Sequence, residues 1–224
     1  MAIIDNLYWV GHSCFYIKLE GQVIFIDPFM VSDQIKEKAD VILITHPHFD
    51  HFSIDDIDKI IKPTTKIIAS QGCQGIEKYK NLHVLKPYES LSLENFSVST
   101  LPAYNIKKER LKNHPKDKEW LGYLVKIGNE TLYHAGDTDF IPEMEELNGG
   151  IDISILPIGG TYTMDTKEAI AAASAINAKI TIPMHYKALL GKDGSMEAES
   201  LFAKGLSSAK IMKEIQQPHY SFSY

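Results

Sequence analysis

At 224 residues, 44% hydrophobic and 23% charged, the chain reads as one globular domain, 1–224, able to bury a core without disulfide staples. A formal charge of −6, with Arg110 the single arginine among many lysines, argues against a nucleic-acid partner. Cys14 and Cys73 form no C-x-x-C pair, no leader is readable and no apolar run reaches membrane-spanning length, so the expectation is reduced thiols, no membrane and a cytoplasmic location.

In chain order, residues 7–10, 15–19 and 23–26 read as strands, the second and third joined through Glu20-Gly21 as a hairpin. His12, between the first two strands, either borders an active site or, as is commoner for a lone histidine at a strand junction, is a structural hydrogen bonder; it is not counted as a metal ligand. A buried strand over 41–44 closes on Thr45-His46-Pro47-His48-Phe49-Asp50-His51. Three histidines and a carboxylate at the mouth of a buried strand would each need a partner in a core, and a metal supplies one for all of them. His46 and His48, two apart on extended chain, point the same way and converge on one ion. Asp50 and His51, past the turn, face a second ion beside it.

Ser53 caps a helix through Ile57, Ile60 and Ile61 that Pro63 ends. Residues 66–69 and 83–86 read as strands around a short helix at 75–80, and a hairpin of 91–93 with 96–101 delivers Asn105. The polar segment 106–119 carries His114 and has no apolar period. It reads either as a loop over the site, with His114 near the metal and its lysines attracting an anionic substrate, or as solvated surface. A hairpin of 120–127 with 131–133 ends at His134-Ala135-Gly136-Asp137. A strand over 152–155 leads to Gly159-Gly160 and Tyr162, read as an anion-holding turn or a plain one, then to a helix with the capping box Asp165 and Glu168. A strand over 179–182 ends at His185-Tyr186-Lys187, before a helix over 195–206, a strand over 210–215 and a tail through His219 and Tyr224 without readable chemistry.

The ordered series HPHFDH, PAYN, HAGDTD, LPIGGTYTMD and IPMHYK resembles the metallo-β-lactamase superfamily, in the branch that includes L-ascorbate-6-phosphate lactonase. The resemblance implies an α/β fold, a four-layer αββα sandwich with mixed sheets and a metal site at one edge. It makes Asp137 the bridge between two ions and His185 the last ligand, completing the set His46, His48, Asp50, His51, Asp137 and His185, with Asp50 and Asp137 read as catalytic. Where relatives carry a third histidine this chain has Asn105, so that site is completed by Asn105, by His114 or by weaker donors. His134 is similar to a residue placed just behind the ligands, and Tyr162, Tyr186 and Lys187 are candidates to contact substrate. The implied activity is hydrolysis by a metal-bound hydroxide of a small, anionic lactone or phosphoester, with one or two Zn2+ ions, or Mn2+, Ni2+ or Fe2+. The alternatives are a tRNase Z-like nuclease and a non-catalytic metal-binding descendant; oligomeric state is open.

Overall fold

The computed structural model describes residues 2–215; the tail containing His219 and Tyr224 lies outside the described residues. Within them the chain forms two six-stranded sheets, each in sequence order. The first holds β1 (Leu7–Gly11), β2 (Cys14–Leu19), β3 (Gln22–Ile26), β4 (Val41–Ile44), β5 (Lys66–Ala69) and β6 (Leu82–Val84). Its first three strands are antiparallel, and β3 to β6 run parallel. The β2–β3 turn puts Glu20 and Gly21 at φ of 53° and 76°, the left-handed pair that a two-residue hairpin needs.

The second sheet holds β7 (Ser90–Ser92), β8 (Phe96–Pro102), β9 (Leu121–Ile127), β10 (Glu130–His134), β11 (Ile153–Pro157) and β12 (Ile180–Met184). It is antiparallel from β7 to β10 and parallel from β10 to β12. Both sheets are therefore mixed, as expected.

The period of two along the strands sorts the core into layers. Phe15, Ile17, Ile24, Ile26 and Leu43 join Val98, Leu121, Tyr123 and Val125 in one cluster between the sheets. Their alternates Cys14, Tyr16, Phe25, Ile42 and Ile44 face the other way, onto Ile57 and Ile60 of α1 (Ile54–Ile60). On the far side, α2 (Thr166–Ile176) lays Ala169, Ala172, Ala173 and Ile176 on the second sheet, beside Ala198 and Phe202 of α3 (Lys187–Gly205). Helix, sheet, sheet, helix is the four-layer order.

Two expectations change. Helix α3 starts at Lys187, well before residue 195, because a helical turn ahead of Gly191, whose φ is 66°, runs into the next segment across a kink. Residues 210–215 form no strand: the chain meets the β12 edge at one isolated bridge, Thr181 with Ala209, and then leaves it. The Ile215 amide instead reaches the Trp9 carbonyl on β1. What the layers position is one edge, where the chain leaves β1, β3, β4, β8, β10, β11 and β12 and the histidines and carboxylates meet.

Candidate metal centre

The chain leaving β4 is fixed by its neighbours before any ion is considered. Asp27, fully buried after β3, accepts hydrogen bonds from the Thr45 amide (2.8 Å), the Thr45 hydroxyl (2.7 Å) and His51 Nδ1 (2.7 Å). The Thr45 hydroxyl in turn accepts from His46 Nδ1 at 3.0 Å. In its neutral form each ring therefore carries its proton on Nδ1, and Nε2 faces inward as the atom able to offer a lone pair. A tight turn follows, with the His51 and Phe52 amides donating to the His48 carbonyl, and the Ser53 hydroxyl caps α1. His46 Nε2 and His48 Nδ1 end 3.0 Å apart.

Three other segments bring the remaining donors. Asp137 follows β10 through Gly136 at φ 64°, where a Cβ would sit 2.7 Å from the Leu121 carbonyl oxygen and 3.2 Å from Thr45, so only glycine lets this turn close on the histidine loop. His185 follows β12 at φ 57°, against Gly159, where a Cβ would come within 2.3 Å of the His185 carbonyl oxygen. His114 comes from the long loop after β8. One Asp137 oxygen lies 3.2 Å from His51 Nε2; the other lies 3.2 Å from His114 Nε2 and 3.1 Å from His185 Nε2. Asp50 lies 3.1 Å from His12 Nε2 and 3.3 Å from His185 Nε2.

Of these contacts His12 Nε2 with Asp50 is a hydrogen bond, whereas His51 Nε2, His114 Nε2, His185 Nε2 and Asp137 Oδ1 are buried without an aligned partner among the described residues. Donors fall into three groups, His46-His48-His114, His46-His51-Asp137 and His12-Asp50-His51-His185, the atoms of each within 4.8 Å of one another. Imidazole and carboxylate donor atoms brought this close together in a buried cluster are a donor set that fits divalent transition metals.

Charge follows the same division. Burial pushes His12 down to about 4, helped by neighbouring His185, and pushes His48 to about 4, helped by His114. Burial beside His51 holds His46 well below the usual histidine range. Burial also opposes charge on His51 and His185, yet the carboxylates overcome it: Asp137, Asp27 and Asp50 hold His51 well above the usual range, and Asp137 and Asp50 hold His185 at about 9. For Asp50 and Asp137, burial would raise the pKa, but the histidines hold both well below the carboxylate range. Two ionised carboxylates facing protonated His51 and His185 form a cluster in which a divalent cation can replace protons.

The cluster opens on a cleft of about 370 Å³. Asp50, His114, Asp137 and His185 line its buried part, and Phe49, Lys112 and Tyr162 its outer part. Asn105 is not among the grouped donors: its side-chain oxygen accepts from the His114 amide (3.1 Å) and His114 Nδ1 (2.9 Å), turning His114 Nε2 inward. His134 stands behind the donors, its Nε2 on the Ser13 carbonyl at 3.0 Å and its Nδ1 accepting from the Gly136 amide at 3.3 Å. Tyr186 and Lys187 do not line this cleft. The buried Tyr186 hydroxyl donates to Glu199 at 2.6 Å, and Lys187 lies over the Trp9 ring near Glu199 and Glu214, because the first turn of α3 points them away from His185. The loop lysines are also partly spoken for: Lys107 pairs with Glu168 and Lys116 with Glu143.

Four participants were missed by reading the sequence. Asp27 and Thr45 orient two histidines, and Trp120 lies against the rings of His46 (5.0 Å between centroids) and His48 (4.8 Å). His12, read only as a hydrogen bonder, does bond Asp50 but also belongs to a donor group. The one available signal for Asp27 was a lone acid at the end of an apolar strand beside the histidine strand, and Trp120 carried none.

Comparison with known proteins fits this geometry. A family model described as a beta-lactamase superfamily domain matches residues 6–185. The UPF0173 metal-dependent hydrolase of Thermoplasma volcanium is 33% identical over 231 residues, covering 95% of this chain and 97% of that protein. A UPF0173 protein of Pyrococcus abyssi is 34% identical over 189 residues, 81% of this chain and 83% of its own. A crystal structure from Parabacteroides distasonis, described as a proposed metal-dependent hydrolase, superposes with a TM-score of 0.81 at 32% identity, covering 93% of this chain and 92% of that one. The chain belongs to the metallo-β-lactamase superfamily and, within it, to the UPF0173 metal-dependent hydrolases. The sandwich fold and the enzyme class expected from the motifs agree with that membership.

Proposed function

We propose that this enzyme hydrolyses a small anionic lactone or phosphoester at a pair of ions, zinc being the first choice for its imidazole and carboxylate donors. The observation that carries the reading is that Asp137 stands between His46-His48-His114 on one side and Asp50-His51-His185 on the other, at the floor of the cleft. When bound, the ions supply an acidified water and polarise the carbonyl or phosphoryl oxygen.

The protein's own groups do the rest. Asp27, Thr45 and Asn105 hold protons on the outward nitrogens of His46, His51 and His114, so that their inward nitrogens arrive preorganised. Asp50 and Asp137 stay ionised and balance the positive charge. Trp120 covers His46 and His48 and excludes water on that side. Of the loop lysines, Lys112 lines the cleft and has no ion-pair partner among the described residues, which suits an anionic group at the outer end. Phe49 and Tyr162 offer flat walls to the body of the substrate. A cleft of about 370 Å³ is the size of a small-molecule site, which favours this reading over a nuclease. Two buried free thiols, Cys14 and Cys73, are in keeping with a cytoplasmic enzyme.

The test is hydrolysis of matched anionic and neutral esters, lactones and phosphoesters by zinc-loaded protein. Anionic compounds are expected to lead, and Lys112→Gln to raise their KM while leaving kcat and the neutral series unchanged. Neutral esters or amides outperforming every anionic compound would overturn the substrate class.

A further inference from the structure

His114 reaches the centre from a stretch without a strand or an α-helix. Residues 106–115 make only turns, so their position must come from side-chain anchors. One anchor is the pairing of Asn105 with His114, whose backbones also meet, the Asn105 amide donating to the His114 carbonyl at 2.8 Å. That pairing closes the loop on itself but does not attach it to the rest of the fold.

Attachment to the rest of the fold comes at the start of the loop from Asp139 and, closer to His114, from Arg110. Its side chain is 4% exposed, unlike the surface lysines around it. Nη2 meets Glu168 Oε1 at 2.9 Å and Asp139 Oδ1 at 2.9 Å, and Nη1 meets Glu168 Oε2 at 3.0 Å. Nη1 also donates to the Thr163 carbonyl. Each carboxylate has a second task. Glu168 completes the capping box of α2 by accepting from the amide of the N-cap residue Asp165 at 2.8 Å. Asp139, two residues past Asp137, accepts from Asn105 Nδ2 (3.0 Å) and from the amides of Ile106 (2.8 Å) and Lys107 (2.9 Å). One guanidinium thus joins the histidine-bearing loop, the turn that carries Asp137, and the start of α2.

We infer that Arg110 is a positioning residue for the metal centre, a latch whose fork with Glu168 and Asp139 holds His114 against Asp137. The inference rests on the reading of His114 as a ligand. A planar fork with several fixed donors suits the task; lysine, a point charge on a flexible stem, can meet only part of it. The same burial explains why the chain's one arginine is not at the substrate end of the cleft.

The experiment compares wild type, Arg110→Gln, Arg110→Lys, Glu168→Gln and His114→Ala. Zn2+ affinity is measured by competition with a chelating dye, Co2+-loaded protein is followed by its visible absorption, and melting of metal-free protein checks folding. Arg110→Gln is expected to melt cooperatively and to hold one ion roughly 10–100-fold more weakly, with altered Co2+ bands, while keeping the other ion. Arg110→Lys should fall between it and wild type. A folded Arg110→Gln that binds both ions as wild type, or shows only a lower melting temperature, overturns the latch. If Arg110→Gln does not fold, the same affinity criterion applied to Glu168→Gln decides. His114→Ala separates the two claims: full metal binding there would remove the ligand reading itself, whereas loss of an ion there but not in the arginine and glutamate variants would remove the latch alone.

Discussion

The centre is assembled from two kinds of chain. Residues 45–53 bring His46, His48, Asp50 and His51 from the end of β4, a strand paired on both sides, with one end of the turn held by Asp27 and the other by the Ser53 cap. Residues 103–119 bring one histidine from the end of β8 and depend on Asn105, Asp139, Arg110 and Glu168 to do so. In the first, backbone pairing sets the geometry; in the second, a relay of buried side chains does. The difference is that the first region is held by supports next to it in the sheet and the chain, whereas the second depends on contacts from segments distant in the sequence.

Removing the group that both regions share should have the largest effect. Asp137→Ala is expected to lose most bound metal and to cost more activity than the roughly 10–100-fold typical of residues that only orient ligands, with the fold intact by circular dichroism. Within that orienting range, Asp27→Asn should weaken metal binding more than Asn105→Ala, because Asp27 fixes His51 directly and His46 through Thr45 while Asn105 fixes His114 alone. Chelator competition ranks the two.

The charge pattern gives a pH dependence with a definite sign. In the metal-free protein His185 holds its proton up to about 9 and the carboxylates hold His51 well above the usual histidine range, so an ion must displace protons at neutral pH. Apparent affinity should rise with pH toward about 9, and calorimetry in buffers of different ionisation enthalpy should show proton release. An affinity independent of pH from 6 to 9 would mean that these histidines are not displaced.

The latch gives a smaller effect on stability. Glu168 is partly buried, which would raise its pKa, but Arg110 and Lys107 hold it at about 2, below its ordinary 4.5. A depressed carboxyl contributes stability that is present above 4.5 and lost as pH falls toward 2. Metal-free Glu168→Gln should therefore lose less stability than wild type over that interval in acid titrations. The smallest change is expected outside the cleft: Tyr186→Phe and Lys187→Ala, aimed at Glu199 and Glu214, should leave KM unchanged.

Legibility followed the same division. The strand periods, the α1 and α2 caps and the histidine loop were readable because each depends on spacing within a few residues, and the fold places them as read. Asp137 and His185 have no local signature and are singled out only by the order of motifs along the chain; the fold brings the two together at the cleft. His114 was seen only as one of two options, since what brings it inward is an asparagine nine residues earlier and a salt bridge to α2. Arg110 is not told apart from its neighbours by sequence, because nothing in a lysine-rich run reveals which cation is buried. Tyr186 and Lys187 lie outside the cleft lining for a geometric reason: adjacency to His185 says nothing about the direction a helix takes on leaving it.

The most direct test of the centre is metal content by elemental analysis on wild type and His114→Ala, both purified without chelator. About two ions per chain falling to about one in the variant is the expected result, placing His114 among the ligands of a dinuclear site. Equal content in the two proteins, whether one ion or two, would contradict it.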